Sequence, residues 1–254
     1  MMPVESDLSI WLASTVLLSL RIAPVFALAP PFTLTRVPKL FTALFGMGLA
    51  VTLASANPIA ARVPDLATAT LVIGGLRELA LGLAPVVVLE MFFAALYMVG
   101  RTIDIQSGYG LALLIDPTTR GQAPLVGTLL AYLAGAMFFA MDGHHTLLKF
   151  FVASLDLVPL GAAHMTPLAP LLGYIAAIML AAFGVGGLTI LALFLTDLTI
   201  AMLSRTVPQM NALLLGIQVK AIMLFLVLPI VVSVSGVLLM AMVTRALETM
   251  ARLI

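Results

Sequence analysis

The stretch GRTIDIQSGYGLALLIDPTTRGQAP, residues 100–124, is the longest polar interruption in an otherwise strongly apolar sequence. Charged residues stand toward both of its ends, and the apolar segment 109–115 lies between them. This segment is too short to cross a bilayer, which needs about 20 apolar residues, and too apolar for an ordinary solvated loop. Gly108 and Gly110 free the backbone at its entrance, and Pro117 stops any helix at its exit. The stretch therefore predicts an apolar loop that either folds into a protein core or closes a pore.

Composition identifies an integral membrane protein. The chain has 254 residues, of which 63% are hydrophobic and only 9% are charged, whereas a soluble domain carries about 25% charged residues. The net charge of +1 provides no field that would recruit nucleic acid or an acidic partner. Cysteine is absent, which excludes disulfides, thiolate metal sites and cysteine nucleophiles. The polar connections are too short for a separate soluble domain, so residues 1–254 are expected to form a single domain.

Six apolar runs are candidates for membrane helices, although prolines, glycines or charges interrupt several of them. The N-terminal end is acidic and the C-terminal tail is mildly basic, which favours a cytoplasmic C-terminus. An even number of full spans would place both ends on the same side of the membrane. We therefore expect at least one run to be a hairpin or a re-entrant segment. The runs cover residues 8–29, 40–56, 66–99, 125–141, 171–195 and 224–243.

The first apolar run differs from a cleavable signal peptide at its beginning. Glu5 and Asp7 precede it, whereas a signal peptide begins with basic residues. Arg21 also lies within the run. We therefore predict a retained helix, broken at Pro24 and again at residues 30–31.

Several ionisable residues lie inside or beside the apolar runs and need partners. Arg77, Glu78 and Glu90 fall in one run, where an ionisable group at mid-membrane costs about 2.5–3.5 kcal/mol on insertion scales. Arg77 and Glu78 are adjacent, so they do not face each other on one helix. Each is expected to pair with another segment or another subunit, or to serve in conduction. The same question applies to Asp104, Asp197 and Lys220.

The sequence contains no recognisable catalytic, nucleotide or metal motif. His144 and His145 are adjacent, so on a helix they should point about 100° apart and not share one metal ion easily. A metal site would also need His164, Asp142 or Asp156, and we interpret the histidines as a polar helix end. No serine lies in a nucleophile motif such as GxSxG, and Gly108-Tyr109-Gly110 lacks the context of a nucleotide-binding loop.

Several short elements resemble, in order and spacing over nearly the whole chain, the FliR/SctT family of type III secretion export-gate subunits. They are Arg21-Ile22-Ala23-Pro24, Val37-Pro38, Arg77-Glu78 with Gly82, Ile103-Asp104-Ile105-Gln106-Ser107-Gly108 leading to Asp116-Pro117, Gly143-His144-His145, and Arg205-Thr206-Val207-Pro208-Gln209-Met210-Asn211. The fourth and the last are the most specific. Gly143-His144-His145 is more similar to the flagellar FliR members than to the injectisome members. Pro85 and residues 212–214 depart from the family pattern. These departures affect the expected local packing and not the resemblance as a whole.

The resemblance implies an all-α integral membrane protein whose broken helices and helical hairpins stack in a spiral export-gate assembly. It implies a subunit of the flagellar type III export gate, in the bacterial inner membrane and the flagellar basal body, which passes unfolded flagellar proteins. The implied partners are FliP-like and FliQ-like subunits, with FlhB-like and FlhA-like components beside them. The resemblance implies no enzymatic activity and no cofactor.

The resemblance also implies roles for individual residues. In this family the loop equivalent to residues 106–124 projects into the channel as a plug that excludes water and ions. The residues that correspond to the plug are Gly108, Tyr109, Gly110, Leu111, Ala112, Leu113, Leu114 and Ile115. The residues expected to make polar contacts between helices or subunits are Arg77, Glu78, Asp104, Gln106, Asp116, Pro208, Gln209 and Asn211.

Three other functions compete with this interpretation. A secondary transporter of a small solute would use Glu90, Asp104 and Asp197 as a proton relay, but such folds usually contain internal repeats, and TIDIQSGYG has no counterpart after Pro159. An intramembrane hydrolase using His144 or His145 lacks a nucleophile setting. The homologous injectisome subunit shares the general plan.

Overall fold

The structure is a computed structural model that describes residues 3–34, 37–63, 65–109, 124–164, 167–207, 209 and 211–254. These residues form eight α-helices and no strand, so the all-α prediction is confirmed. The helices are α1 (Pro3–Leu28), α2 (Lys39–Ala56), α3 (Thr68–Ser107), α4 (Leu125–Ala140), α5 (Gly143–Leu157), α6 (Leu168–Thr206), α7 (Ala212–Val234) and α8 (Gly236–Ala251).

Four helices in the described ranges are long and apolar enough to cross a membrane. They contain the spans Leu8–Leu28, Thr68–Ser107, Leu168–Thr206 and Leu213–Val234. Helices α4 and α5 pass the same test only as a pair, and they bend by 65° at the break between them. This pair is a broken span or a re-entrant segment, the kind of element that the count of apolar runs predicts. The chain is therefore an integral membrane protein of long, partly interrupted helices.

Helix α1 continues through Pro24 and ends at Leu28, so the break predicted at Pro24 is wrong. Proline has no N–H, so it leaves the carbonyl of Leu20 without its usual helical donor. Gly82 of α3 lies against this part of α1, where a Cβ atom would come within 2.8 Å of the Leu20 oxygen. On another side of the same turn, a Cβ at Gly46 of α2 would lie 2.7 Å from Ala23 Cα. Glycines of two other helices thus pack closely against the turn that contains Pro24. The predicted break of the first helix at residues 30–31 is confirmed, since α1 ends at Leu28.

The chain divides into two compact units, whose boundaries fall inside helices α3, α4, α6 and α8. The first unit comprises residues 1–91, 138–175 and 244–254, and the second comprises residues 92–137 and 176–243. The core of the first unit includes the buried side chains of Leu18, Ile22 and Phe151. Leu96, Ile103, Val126, Leu130 and Ile178 are buried in the second.

Glycines permit close helix packing in the second unit. A Cβ atom at Gly100 of α3 would meet the backbone nitrogen and Cα of Gly127 in α4 and would come within 2.8 Å of the Val126 carbonyl carbon. A Cβ at Gly186 of α6 would meet the side chain of Val99 in α3. Gly186 therefore lies at a close contact between α6 and α3. Gly187, its neighbour, has nothing within 4 Å of an added Cβ.

We expect Gly100→Ala to lower the free energy of unfolding of the isolated chain by about 1–3 kcal/mol, because backbone atoms of α4 cannot move aside as a side chain can. The matched control is Gly187→Ala, which adds the same methyl group to open space and should be neutral or stabilising by up to about 1 kcal/mol. Unfolding in detergent, followed by helical circular dichroism, measures both. Equal effects of the two substitutions would contradict the packing argument.

Candidate functional site

A buried ion pair joins α1 to α3 in the first unit. Arg21 and Glu78 are 1% and 0% exposed, although each lies in an apolar helix. Arg21 Nε donates to Glu78 Oε2 over 2.6 Å. Since an isolated charge in an apolar interior is very costly, each of these residues supplies the counter-charge of the other.

Arg21 also binds the C-terminal end of α5. Its Nη1 donates to the carbonyl oxygen of Ser154 over 3.0 Å and lies 3.3 Å from the Ser154 hydroxyl, while its Nη2 donates to the carbonyl oxygen of Val158 over 3.0 Å. The last carbonyl groups of a helix have no partner within the helix and carry its partial negative charge. The guanidinium therefore caps α5 from another helix, and its planar fork serves three partners at once.

Glu78 fixes the loop that follows α5. Its Oε1 accepts from the backbone N–H of Gly161 over 3.0 Å, so each of its oxygens has a donor. Arg77, the next residue back in α3, donates from Nη1 to the carbonyl oxygen of Gly161 over 3.1 Å at an exposed position. The adjacent Arg77 and Glu78 thus bind opposite sides of one residue in a distant loop, and neither binds the other.

A second set of hydrogen bonds joins the loops after α2 and α5 close to the ion pair. The Leu160 N–H donates to the carbonyl oxygen of Ala60 over 3.0 Å, and Asn57 Nδ2 donates to Asp156 Oδ1 over 2.7 Å. The Val63 N–H donates to the hydroxyl of Ser14 in α1 over 3.1 Å. The bonds from Leu160 and Val63 satisfy backbone N–H groups, whereas the exposed Asn57–Asp156 bond joins two side chains. We call Arg21, Glu78, Ser154, Val158 and Gly161 the Arg21 cluster.

The sequence shows Arg21 as a charge within an apolar run but does not identify its partner. The signal was present, because Arg21 and Glu78 are opposite charges within two separate apolar runs, and such charges usually pair. The carbonyl partners of Arg21 carry no such signal, because every residue has a carbonyl group.

Asp104 joins the two sides of the central loop in the second unit. It lies near the end of α3, is 5% exposed, and accepts from the backbone N–H of Val126 with both carboxylate oxygens, at 3.2 and 3.1 Å. Val126 is the second residue of α4, so Asp104 supplies the N-terminal cap of a helix that begins on the other side of the loop. A carboxylate is favourable there because helix N-termini carry partial positive charge. We call this contact the Asp104 clasp.

Only the entrance of the predicted plug belongs to the described residues. Gly108 has φ +92°, a conformation that favours glycine, and a Cβ there would lie 3.6 Å from Ile217 of α7. Tyr109 is half-buried. The remaining plug residues lie outside the described residues, as does Asp116, and the plug role stays a prediction. They are Gly110, Leu111, Ala112, Leu113, Leu114 and Ile115.

The other predicted contact residues are placed as follows. Gln106 has a buried side-chain oxygen that has no hydrogen-bond partner within the described part of the chain. Gln209 is exposed, and Asn211 accepts from the Leu214 N–H over 3.2 Å, which caps its own helix α7. Pro208 is outside the described ranges. The intersubunit role of these residues therefore stays a prediction.

Two acidic residues of the transporter alternative have structural partners. Asp104 forms the clasp, and Asp197 of α6 forms an ion pair with Lys220 of α7. These contacts give Asp104 and Asp197 structural roles that need no proton relay.

The geometry defines a class: a helical membrane protein with a buried charge cluster and a clasped central loop. The profile of the family described as "Bacterial export proteins, family 1" matches residues 12–250. The chain belongs to this family. It is similar to the flagellar biosynthetic protein FliR of Bacillus subtilis (strain 168), with 27% identity over 94% of this chain and 93% of that protein. The identity is 26% to FliR of Escherichia coli (strain K12), over 78% and 76% of the two chains. It is 26% to FliR of Pectobacterium carotovorum subsp. carotovorum, over 84% and 82%. The resemblance found in the sequence is confirmed.

Proposed function

We propose that this chain is a subunit of the flagellar type III protein export gate and forms part of the channel that passes unfolded flagellar proteins across the bacterial inner membrane. The observation that carries the proposal is the family match over residues 12–250, together with similarity to FliR along nearly the full length of the Bacillus protein. All three relatives described above are flagellar, which favours flagellar over injectisome export.

The subunit works within a hetero-oligomer of FliP-like and FliQ-like chains, with FlhB-like and FlhA-like components beside them. The proposal is supported by the amount of apolar surface that the chain leaves uncovered. In the most apolar 18-residue stretch of α7, only 17% is buried within the described structure. The corresponding share in α6 is 33%. Such surfaces need lipid or neighbouring apolar helices.

The segment from Gly108 to Ile115 acts as the channel plug. Its apolar side chains pack against partner side chains and exclude water and ions, yet yield to an unfolded polypeptide. The Asp104 clasp supports this role, because it links α3 to α4 over a separation of 22 residues and so holds the two ends of the loop together. A loop with fixed ends can move at its tip without separating the helices that carry it.

Gating of this kind needs no bond-making step, so the proposed role requires neither enzymatic activity nor a cofactor. The chain's own groups position the loop and satisfy buried charges, and other components of the apparatus supply the energy.

Co-purification tests the assembly. We expect expression with the neighbouring genes, mild detergent extraction and native mass spectrometry to yield a stable complex with several FliP-like and FliQ-like chains. Expression alone, as the control, should give the subunit without them. A solitary monomer or homodimer from both preparations would overturn the proposal and favour the solute transporter.

A further inference from the structure

The break between α4 and α5 has a fixed geometry that places three potential metal ligands together. Asp142 has φ 56° and φ/ψ in the left-handed region, and α5 begins at the next residue. Gly143 is buried, and a Cβ atom there would lie 2.6 Å from the ring of Phe138. The turn is therefore held against an aromatic ring of α4, and this fixes the backbone that carries Asp142, His144 and His145.

The Asp142 carboxylate does not cap α5, although Asp142 occupies the N-cap position of that helix. Aspartate at a helix N-cap normally accepts from a backbone N–H of the first turn. Here the side chain makes no such hydrogen bond, and Asp142 Oδ1 instead lies 3.1 Å from His145 Nδ1. The carboxylate therefore faces an imidazole nitrogen instead of the helix backbone.

The two imidazoles lie side by side. Their ring centroids are 4.1 Å apart with an interplanar angle of 38°, so the expectation that these adjacent rings diverge is wrong. The ring of Phe139 lies beside them, with its centroid 5.6 Å from that of His144. His144 Nδ1 is buried and has no hydrogen-bond partner in the described ranges.

One donor atom from each of Asp142, His144 and His145 lies within 4.8 Å of the other two. Donor atoms around a tetrahedral zinc ion are about 3.4 Å apart, given Zn–N and Zn–O distances of about 2.0–2.2 Å. The side chains of Asp142 and His145 are 72% and 61% exposed, so both can rotate to close this difference. Two imidazoles exclude Mg²⁺ and Ca²⁺, which prefer oxygen ligands, and suit Zn²⁺, Ni²⁺ or Cu²⁺.

We infer that Asp142, His144 and His145 bind one divalent transition-metal ion of the zinc class, with water or a partner group in the fourth position. The carboxylate supplies the negative charge and the two neutral imidazoles supply nitrogen donors. The site depends on residues of a single turn, so it forms in the isolated chain as well as in an assembly.

Calorimetric titration with ZnCl₂ tests the site, using the full chain in detergent with a tag that contains no histidine, after treatment with a chelator. We expect one equivalent of Zn²⁺ to bind, and His145→Gln and Asp142→Asn each to weaken the affinity by about tenfold or more. Both side chains are exposed, so these variants should fold normally, which thermal unfolding checks. The visible absorption of bound Co²⁺ gives a second readout of nitrogen coordination.

His164→Gln is the matched control. His164 Nε2 lies 3.3 Å from the carbonyl oxygen of Leu253, away from the turn, and its loss should leave the zinc affinity unchanged. The inference is overturned if the unsubstituted chain takes up no Zn²⁺, if His145→Gln binds as tightly as the parent, or if His164→Gln causes the loss.

Discussion

Glu78→Ala is expected to lower the free energy of unfolding by about 3–5 kcal/mol, because it leaves the Arg21 guanidinium charged and buried without its counter-charge. It also removes the acceptor of the Gly161 N–H. This is a large part of the total stability of a typical domain, which is about 5–15 kcal/mol. We expect a marked fall in the amount of folded chain in the membrane, and a loss of flagellar export that follows from it. Unfolding in detergent and the steady-state level of the chain measure the two effects.

The neighbouring residue provides the control. Arg77→Met removes a charge from the same turn of α3 and also breaks a hydrogen bond to Gly161, but at an exposed position, so its effect should stay below about 1 kcal/mol. The double variant Arg21→Met with Glu78→Met should recover part of the loss, since it removes both buried charges. Recovery should be incomplete because the carbonyl of Val158 loses its donor. Similar stability of Glu78→Ala and Arg77→Met would show that the buried pair does not stabilise the fold.

Deletion of residues 109–114 should leave assembly intact and make the membrane leak ions. The deletion removes most of the apolar segment that we propose as the channel plug, while the Asp104 clasp still holds α3 against α4. Ion conductance of the membrane, or of the purified complex in a planar bilayer, measures the leak. The complex must first be recovered with its partners at normal yield. Unchanged conductance of the assembled deletion variant would contradict the plug role.

Asp104→Ala should produce a smaller leak with the loop intact. Loss of the carboxylate removes the cap of α4 and leaves the buried Val126 N–H unpaired, at a cost of about 1–3 kcal/mol. The ends of the loop are then less well fixed. Asp197→Ala is the matched control, because it removes another carboxylate of the second unit whose partner is Lys220 and not a residue of the loop ends. A leak of equal size in both variants would show that the Asp104 clasp has no specific role in gating.

The membrane class followed directly from the composition, because so few charged residues cannot cover a soluble surface, and the all-α architecture followed from the resemblance to the FliR/SctT family. The end of α1 was also predictable, since residues 30–31 cannot continue a helix. The continuation through Pro24 was not predictable from the local effect of proline, and α1 packs there against Gly46 and Gly82 of two other helices.

The sites were predictable only in part. The sequence indicates that Glu78 and Asp104 need partners, but those partners are a side chain 57 residues away and a backbone N–H 22 residues away. A backbone donor has no signature in a sequence, because nearly every residue provides one. The position of His144 beside His145 depends on rotamers at the start of α5, which spacing along an ideal helix does not describe.

The Arg21 cluster also sets an order of events during synthesis. Arg21 emerges from the ribosome 57 residues before Glu78 and 133 residues before Ser154. An arginine placed alone at mid-membrane costs about 2.5–3.5 kcal/mol, and the residues that bind Arg21 are all synthesised after α1. The first helix of the chain therefore depends on the fifth for its final position, and nascent chains that end before residue 158 carry an incompletely bound guanidinium. Folding of α1 is therefore complete only after the C-terminal end of α5 has been synthesised and has bound Arg21.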